Sequence, residues 1–86
     1  MTFMTTPADM LNARSLPKLG TALRTLRRRR GWSQAELAAK AQVSRQWVIA
    51  VENGHTEGLE TGRLMRVLDA LDASLVVRDD APRMPT

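Results

Sequence analysis

The chain has no cysteine, no tyrosine, one phenylalanine and one histidine. Without cysteine there is no disulfide, no thiolate metal site and no cysteine nucleophile. His55, in "ENGHTEG", has no second ligand at metal spacing, so no metal or other cofactor is expected. There is also no Ser–His–acid set and no glycine-rich phosphate loop, and 86 residues leave little room for a cleft. An enzyme is therefore not expected, and Asp79-Asp80 reads as a solvated pair in a polar tail. No apolar run is long enough to span a bilayer. The start, "MTFMTTPADM", lacks a basic segment followed by an apolar one, which argues against a secretion signal. The expected location is cytoplasmic and nucleoid-associated, away from any membrane.

Apolar residues make up 43% of the chain and charged residues 26%, which suits one small folded domain with an aliphatic core. The net charge is +4, and its placement matters more than its size. Arg27, Arg28, Arg29 and Arg30 are consecutive, with Arg24 one turn earlier. Cations at a helix end complement the negative end of its dipole. Four in a row, directly before a pair of helices, favour a polyanionic partner.

Residues 1–14 have no sustained periodicity and read as a mobile arm. Ser15 is a candidate N-cap. Leu16, Leu19, Leu23, Leu26 and Arg30 then recur at helical steps, and Gly31 ends the helix. Ser33 and Glu36 have the spacing of a capping box, with Trp32 and Leu37 placed as a hydrophobic staple, so a short second helix runs to about Ala41. Ser44 caps a third helix ending near Asn53, with Val48 and Val51 inward and Trp47 at the edge. "ENGHTEG" reads as a loop. A fourth helix spans about Thr61 to Leu71. "SLVVR", residues 74–78, is a β-branched run of strand type. The expected organisation is an arm (1–14), an all-α four-helix domain (15–72), a strand (73–78) and a flexible tail (79–86).

The second and third helices satisfy the requirements of a helix-turn-helix. Counted from Gln34, the fourth position must be apolar and is Leu37. The fifth must be small, where the helices cross closely, and is Ala38. The eighth, tenth, fifteenth and eighteenth are Ala41, Val43, Val48 and Val51, all apolar or small. No proline or β-branched residue interrupts the first helix of the pair.

"SQAELAAKAQVSRQWVIAVENG" resembles the helix-turn-helix of the phage repressor and Cro class, and the resemblance covers roughly residues 16–72. More narrowly, "RRRRGWSQAELA", "VSRQWVIAVENG" and "LDASLVV" resemble HipB-type antitoxins. That resemblance implies a DNA-binding dimer that partners a HipA-type kinase toxin and represses its own operon at an inverted repeat. It also implies that Gln34 bonds a phosphate and that Glu52 pairs with Arg27 as a structural ion pair. The family usually carries glycine where this chain has Gln42, because that turn residue takes a positive φ. The known HipB-type tail ends in a tryptophan, and "APRMPT" has no aromatic residue.

In such a motif the third helix enters the major groove of duplex DNA. Its outward residues here are Ser44, Arg45, Gln46, Ile49 and Ala50, the expected base contacts. Arginine suits guanine O6 and N7, glutamine suits adenine N6 and N7, and Ile49 and Ala50 suit thymine methyls. Gln34, Ser33, Asn53, Arg28 and Arg29 are the expected backbone contacts, helped by the amides that start the second helix. A lone strand leaves both edges unpaired, so Leu75, Val76 and Val77 are expected to pair with a second copy about a two-fold axis. A tail packed on the helices, or paired with the arm, is the alternative. A different class of function, a protein-interaction module without DNA reading, would use exposed Ile49, Leu59 and Met65 instead. A free-standing repressor or the antitoxin of a nuclease toxin fits the same motif.

Overall fold

The computed structural model describes residues 10–55 and 58–82. Most of the expected arm (1–9), the end of the tail (83–86) and Thr56 and Glu57 lie outside the described residues. Four helices follow in order: α1 (Leu16–Arg29), α2 (Gln34–Ala41), α3 (Arg45–Glu52) and α4 (Thr61–Ala70). No helix among the described residues is long and apolar enough to cross a membrane.

Each helix starts on a side-chain acceptor that satisfies amides the helix cannot. Ser15 Oγ accepts from the Lys18 amide at 3.2 Å and Ser44 Oγ from the Trp47 amide at 3.0 Å. The capping box at Ser33 is complete: Ser33 Oγ accepts from the Glu36 amide at 3.0 Å, and Glu36 Oε1 accepts from the Ser33 amide at 2.8 Å. The cap of α4, which the sequence pattern does not signal, is Glu60, whose carboxylate accepts from the amides of Gly62 and Arg63.

All four helices end the same way. An amide one or two residues past the cap returns to a carbonyl five positions back, as in Trp32 to Arg27, Val43 to Ala38, His55 to Ala50 and Ala73 to Leu68. Such a closure puts one residue in the left-handed region. Gly31 and Gly54 take it freely, at φ +73° and +70°. Gln42 and Asp72 take it at φ 57° and 54°, at a cost of about 1 kcal/mol each for a side chain bearing Cβ. The turn between α2 and α3 thus forms without glycine.

The core is aliphatic: Leu23, Leu37, Ala38, Ala41, Val48, Val51, Leu64, Val67, Leu68 and Leu71 are buried, with Trp32, Val43 and Trp47 packed at its edge. Five of the six slots required of a helix-turn-helix, Leu37, Ala38, Ala41, Val48 and Val51, are in it, and the sixth, Val43, packs at its edge. α3 packs between α1 and α2, and α4 packs on α2. Of the expected α1 stripe only Leu23 is fully buried, while Leu19 and Leu26 are half-buried at the margin. Two arginines tie α4 into place. Arg66 Nε donates to the Ala41 carbonyl at the end of α2, and Arg30 Nη2 donates to the Leu71 carbonyl at the end of α4.

Residues 73–80 have no regular secondary structure, and no strand occurs among the described residues. The strand expected over 73–78 is therefore not formed within one chain. The reason is physical: a strand exists through its ladder, and no other segment among the described residues supplies one.

Candidate nucleic-acid interface

α3 has two unlike sides. Val48, Val51 and Glu52 are buried, while Arg45, Gln46 and Asn53 are exposed and Ile49 and Ala50 half-buried. At about 100° per residue, Arg45, Ile49, Asn53, Gln46 and Ala50 span an arc of ~140° opposite the buried side. The five outward residues therefore form one contiguous strip from the start of α3 to its end. Ser44, exposed at the head of the strip, spends its hydroxyl oxygen on the Trp47 amide.

Glu52 holds this strip in place. Its side chain is fully buried, and Arg27 approaches it as a fork, Nε to Oε2 at 2.7 Å and Nη2 to Oε1 at 2.9 Å. Arg27 Nη1 also reaches the Trp32 carbonyl at 2.8 Å. Gln34 Nε2 donates to Glu52 Oε1 at 3.2 Å, and Arg24 Nε lies 3.5 Å from the same oxygen. One carboxylate thus joins the end of α3, the end of α1 and the first residue of α2. Burial pushes the Glu52 carboxyl up, but the hydrogen bonds of Arg27, Gln34 and Arg24 and the charge of Arg27 together outweigh it, so the carboxyl sits below its ordinary value. The hydrogen bond to Glu52 holds the Arg27 guanidinium above its own ordinary value, against the opposing effect of burial.

Two expected phosphate ligands are engaged inside the protein. The Gln34 amide nitrogen is committed to Glu52, which leaves its oxygen and its remaining N–H for other partners. Asn53 Oδ1 accepts from Arg24 Nη2 at 3.0 Å, and the same Nη2 lies 3.2 Å from the Glu52 carbonyl. Ser33 is exposed, its oxygen occupied by the capping box.

The arginine run divides by direction. Arg27 is buried against Glu52 and Arg30 reaches the end of α4. Arg28 and Arg29 are exposed, and their side chains make no ion pair or hydrogen bond among the described residues. They do not face the same way. Gly20, which touches the α3 backbone, marks the α3 side of α1. Arg28 lies ~80° from Gly20 around the helix and Arg29 lies ~180° from it. Arg29 accordingly lines a groove on the far side, with Leu26, Asp72 and Asp79. Consecutive residues on a helix point about 100° apart, so Arg28 and Arg29 are presented in different directions.

The groove beside Arg29 is walled by Met10–Arg14 on one side and the C-terminal segment on the other, and Arg78 Nη1 bonds Asn12 Oδ1 at 3.2 Å across it. Leu75, Val76 and Val77 are 50%, 64% and 92% exposed. No backbone–backbone hydrogen bond involves residues 74–80 among the described residues.

The helix-to-helix contacts of Gly20, Arg24, Arg30 and Arg66 are not signalled by the motif, in which Arg24 and Arg30 count only as part of the basic run. Gly20 does carry a signal, an isolated glycine within a helical pattern beside Leu23. The three arginines act through long side chains that reach other elements, and no local pattern announces such contacts.

The helix-turn-helix domain model matches residues 18–81. The restriction-modification controller protein C.AhdI from Aeromonas hydrophila is 34% identical over 69% of this chain and 84% of its own, with a TM-score of 0.65. A HipB variant in complex with an O2 20-mer is 26% identical over 84% of this chain and 99% of its own, with a TM-score of 0.73. The structure of a HipA–HipB–O2–O3 complex contains a chain of the same fold, 24% identical over 84% of this chain and 100% of its own, also at 0.73. No curated protein matches the chain. With the domain model spanning most of its length and each inward slot of the motif filled as the fold requires, the chain belongs to the helix-turn-helix domain family.

Proposed function

We propose that this DNA-binding regulator is a homodimeric repressor that reads an inverted repeat, and that it acts as the antitoxin of a HipA-type kinase toxin. The observation that carries DNA reading is the one-sided α3: Arg45, Gln46, Ile49 and Ala50 lie outward in one strip while the opposite side is core. Two such helices in a dimer would enter successive major grooves about 34 Å apart. The antitoxin reading rests on the resemblance to HipB and on the likeness to HipB chains solved with O2 sites and with HipA.

Dimerisation is read from Leu75–Val77, which expose apolar side chains and backbone with no ladder partner among the described residues. Pairing with the same segment of a second copy would satisfy both. Val76→Pro in the full chain removes one ladder donor at an exposed position. It is expected to lower the dimer fraction in light scattering and leave the thermal transition of the helical core in place. A dimer that persists unchanged would place the interface elsewhere.

Arg45 offers the sharpest test of base reading. Arg45→Ala should weaken binding to the DNA upstream of the protein's own gene by ~1–3 kcal/mol and relax preference at one base step. Its effect on a random duplex should be smaller. Equal losses on both would make Arg45 a charge contact only.

The 34% identity to C.AhdI favours a second reading, a free-standing regulator of a neighbouring operon. Co-purification separates the two: a kinase-like partner encoded beside the gene supports the antitoxin, and isolation of the regulator alone with its DNA supports the second.

A further inference from the structure

Asn53 stands at the far end of the outward strip, one turn past Ile49 and next to the end of α1. Its amide is not free to choose its orientation. Arg24 Nη2 donates to Asn53 Oδ1 at 3.0 Å and is itself held by the Glu52 carbonyl at 3.2 Å, with Arg24 Nε 3.5 Å from the Glu52 carboxylate. A guanidinium has only donors, so the amide must present its oxygen to Arg24. The two Nδ2 hydrogens are thereby turned away from Arg24. Asn53 is exposed, which leaves those hydrogens available as donors.

The surrounding charge matches that polarity. Arg24 keeps a third of its side chain in solvent. Arg28 follows one turn later, ~40° further round α1, exposed and with no side-chain partner among the described residues. Glu52, the nearest carboxylate, is fully buried and already bonded to Arg27 and Gln34. What remains on the surface is two guanidinium groups and an oriented amide donor. Among the described residues neither Arg24 nor Arg28 pairs with a surface carboxylate, and donors and cations of this kind suit a phosphodiester oxygen.

We infer that Arg24 is a positioning residue that turns the Asn53 amide donor toward a backbone phosphate, and that Arg24 and Arg28 form the cationic side of this contact while Arg29 takes no part. The inference rests on the DNA-binding reading and assigns one phosphate contact within it. Arg45 reads bases at the head of α3, and this group grips the backbone at its end.

The test uses the full-length protein, a short random-sequence duplex and a salt titration followed by fluorescence anisotropy. Arg24→Gln and Arg28→Gln should each weaken binding about five- to tenfold near 0.1 M salt and make the slope of log affinity against log salt shallower by about one per bound protomer. Arg29→Gln, an identical charge change on the other side of α1, should leave the slope unchanged. Arg24→Lys keeps the charge but not the planar fork, so it should restore the slope and only part of the affinity. In an Asn53→Ala background, Arg24→Gln should cost less than it does alone, because there is no amide left to orient. A merely structural role for Arg24 would move the melting temperature and not this coupling. Equal slopes for the Arg24, Arg28 and Arg29 variants would overturn the inference while leaving DNA binding intact. Absence of salt-dependent binding by the unmodified protein would overturn the reading beneath it.

Discussion

Gly20→Ala is expected to destabilise the fold by about 2 kcal/mol or more, although alanine is the better helix former. In an unpacked helix the exchange would stabilise by about 1 kcal/mol. Here a Cβ on residue 20 would lie 2.2 Å from the Val51 carbonyl oxygen and 2.8 Å from that of Glu52. Both are backbone atoms of α3 and cannot rotate away. α1 and α3 must separate, and that loosens the contacts of Leu23 with the core and of Arg27 with Glu52. Overpacking of this kind costs about 1–3 kcal/mol, and more where backbone must move. Gly20→Val adds two further carbons and is expected to leave little folded protein, since small domains have only about 5–15 kcal/mol in total. Urea unfolding followed by circular dichroism gives the sign directly. A Gly20→Ala protein as stable as the parent, or more so, would show that the close approach of α1 to α3 is not what the glycine serves.

The fold was legible where its causes are local. Ser15, Ser33 and Ser44 announce helix starts because a cap acts within three residues, and the Ser33–Glu36 box is written in the chain itself. Leu37, Ala38, Val48 and Val51 are readable as core because helical spacing puts them on one side. Gly31 and Gly54 mark turns. Asp72 and Gln42 make the same turn without glycine, and Asp72 gave no warning, because aspartate is as common on surfaces as in left-handed positions. The site was legible in the same measure. The outward strip of α3 follows from periodicity alone. The parting of four consecutive arginines does not, because it depends on which carbonyl or carboxylate each long side chain can reach after the helices have packed. Arg28 and Arg29 are neighbours in the chain and strangers on the helix. For the segment over 74–78, β-branched composition signals a capacity to pair, and no pairing partner lies among the described residues.

Arg27→Met should be the most damaging single change of charge, costing about 3–5 kcal/mol, because it leaves Glu52 buried without its main partner. The pH dependence of stability makes the argument specific. In the folded protein the Glu52 carboxyl lies below its ordinary value. A group depressed on folding contributes stability above its unfolded pKa, about 4.3 for glutamate, and loses it as pH falls through the lower, folded value. Stability should therefore be flat on this account from neutral pH down to about pH 5 and fall below about pH 4.5. Removing Arg27 takes away the bonds and charge that outweigh burial, and burial is the largest single influence on this carboxyl. The acid limb due to Glu52 should then vanish or reverse, since protonation would relieve a buried charge. Glu52→Gln should flatten the same limb for a simpler reason: nothing titrates there. Its amide oxygen can still accept from one arm of Arg27 and from Gln34, but its NH2 would meet the other Arg27 donor, so it too should destabilise the fold. Chemical unfolding of the three proteins between pH 3 and pH 7 distinguishes these outcomes. If Arg27→Met kept the parent's acid limb, Glu52 would not be the group that titrates, and the tie between α1, α2 and α3 would rest on packing rather than on this carboxylate.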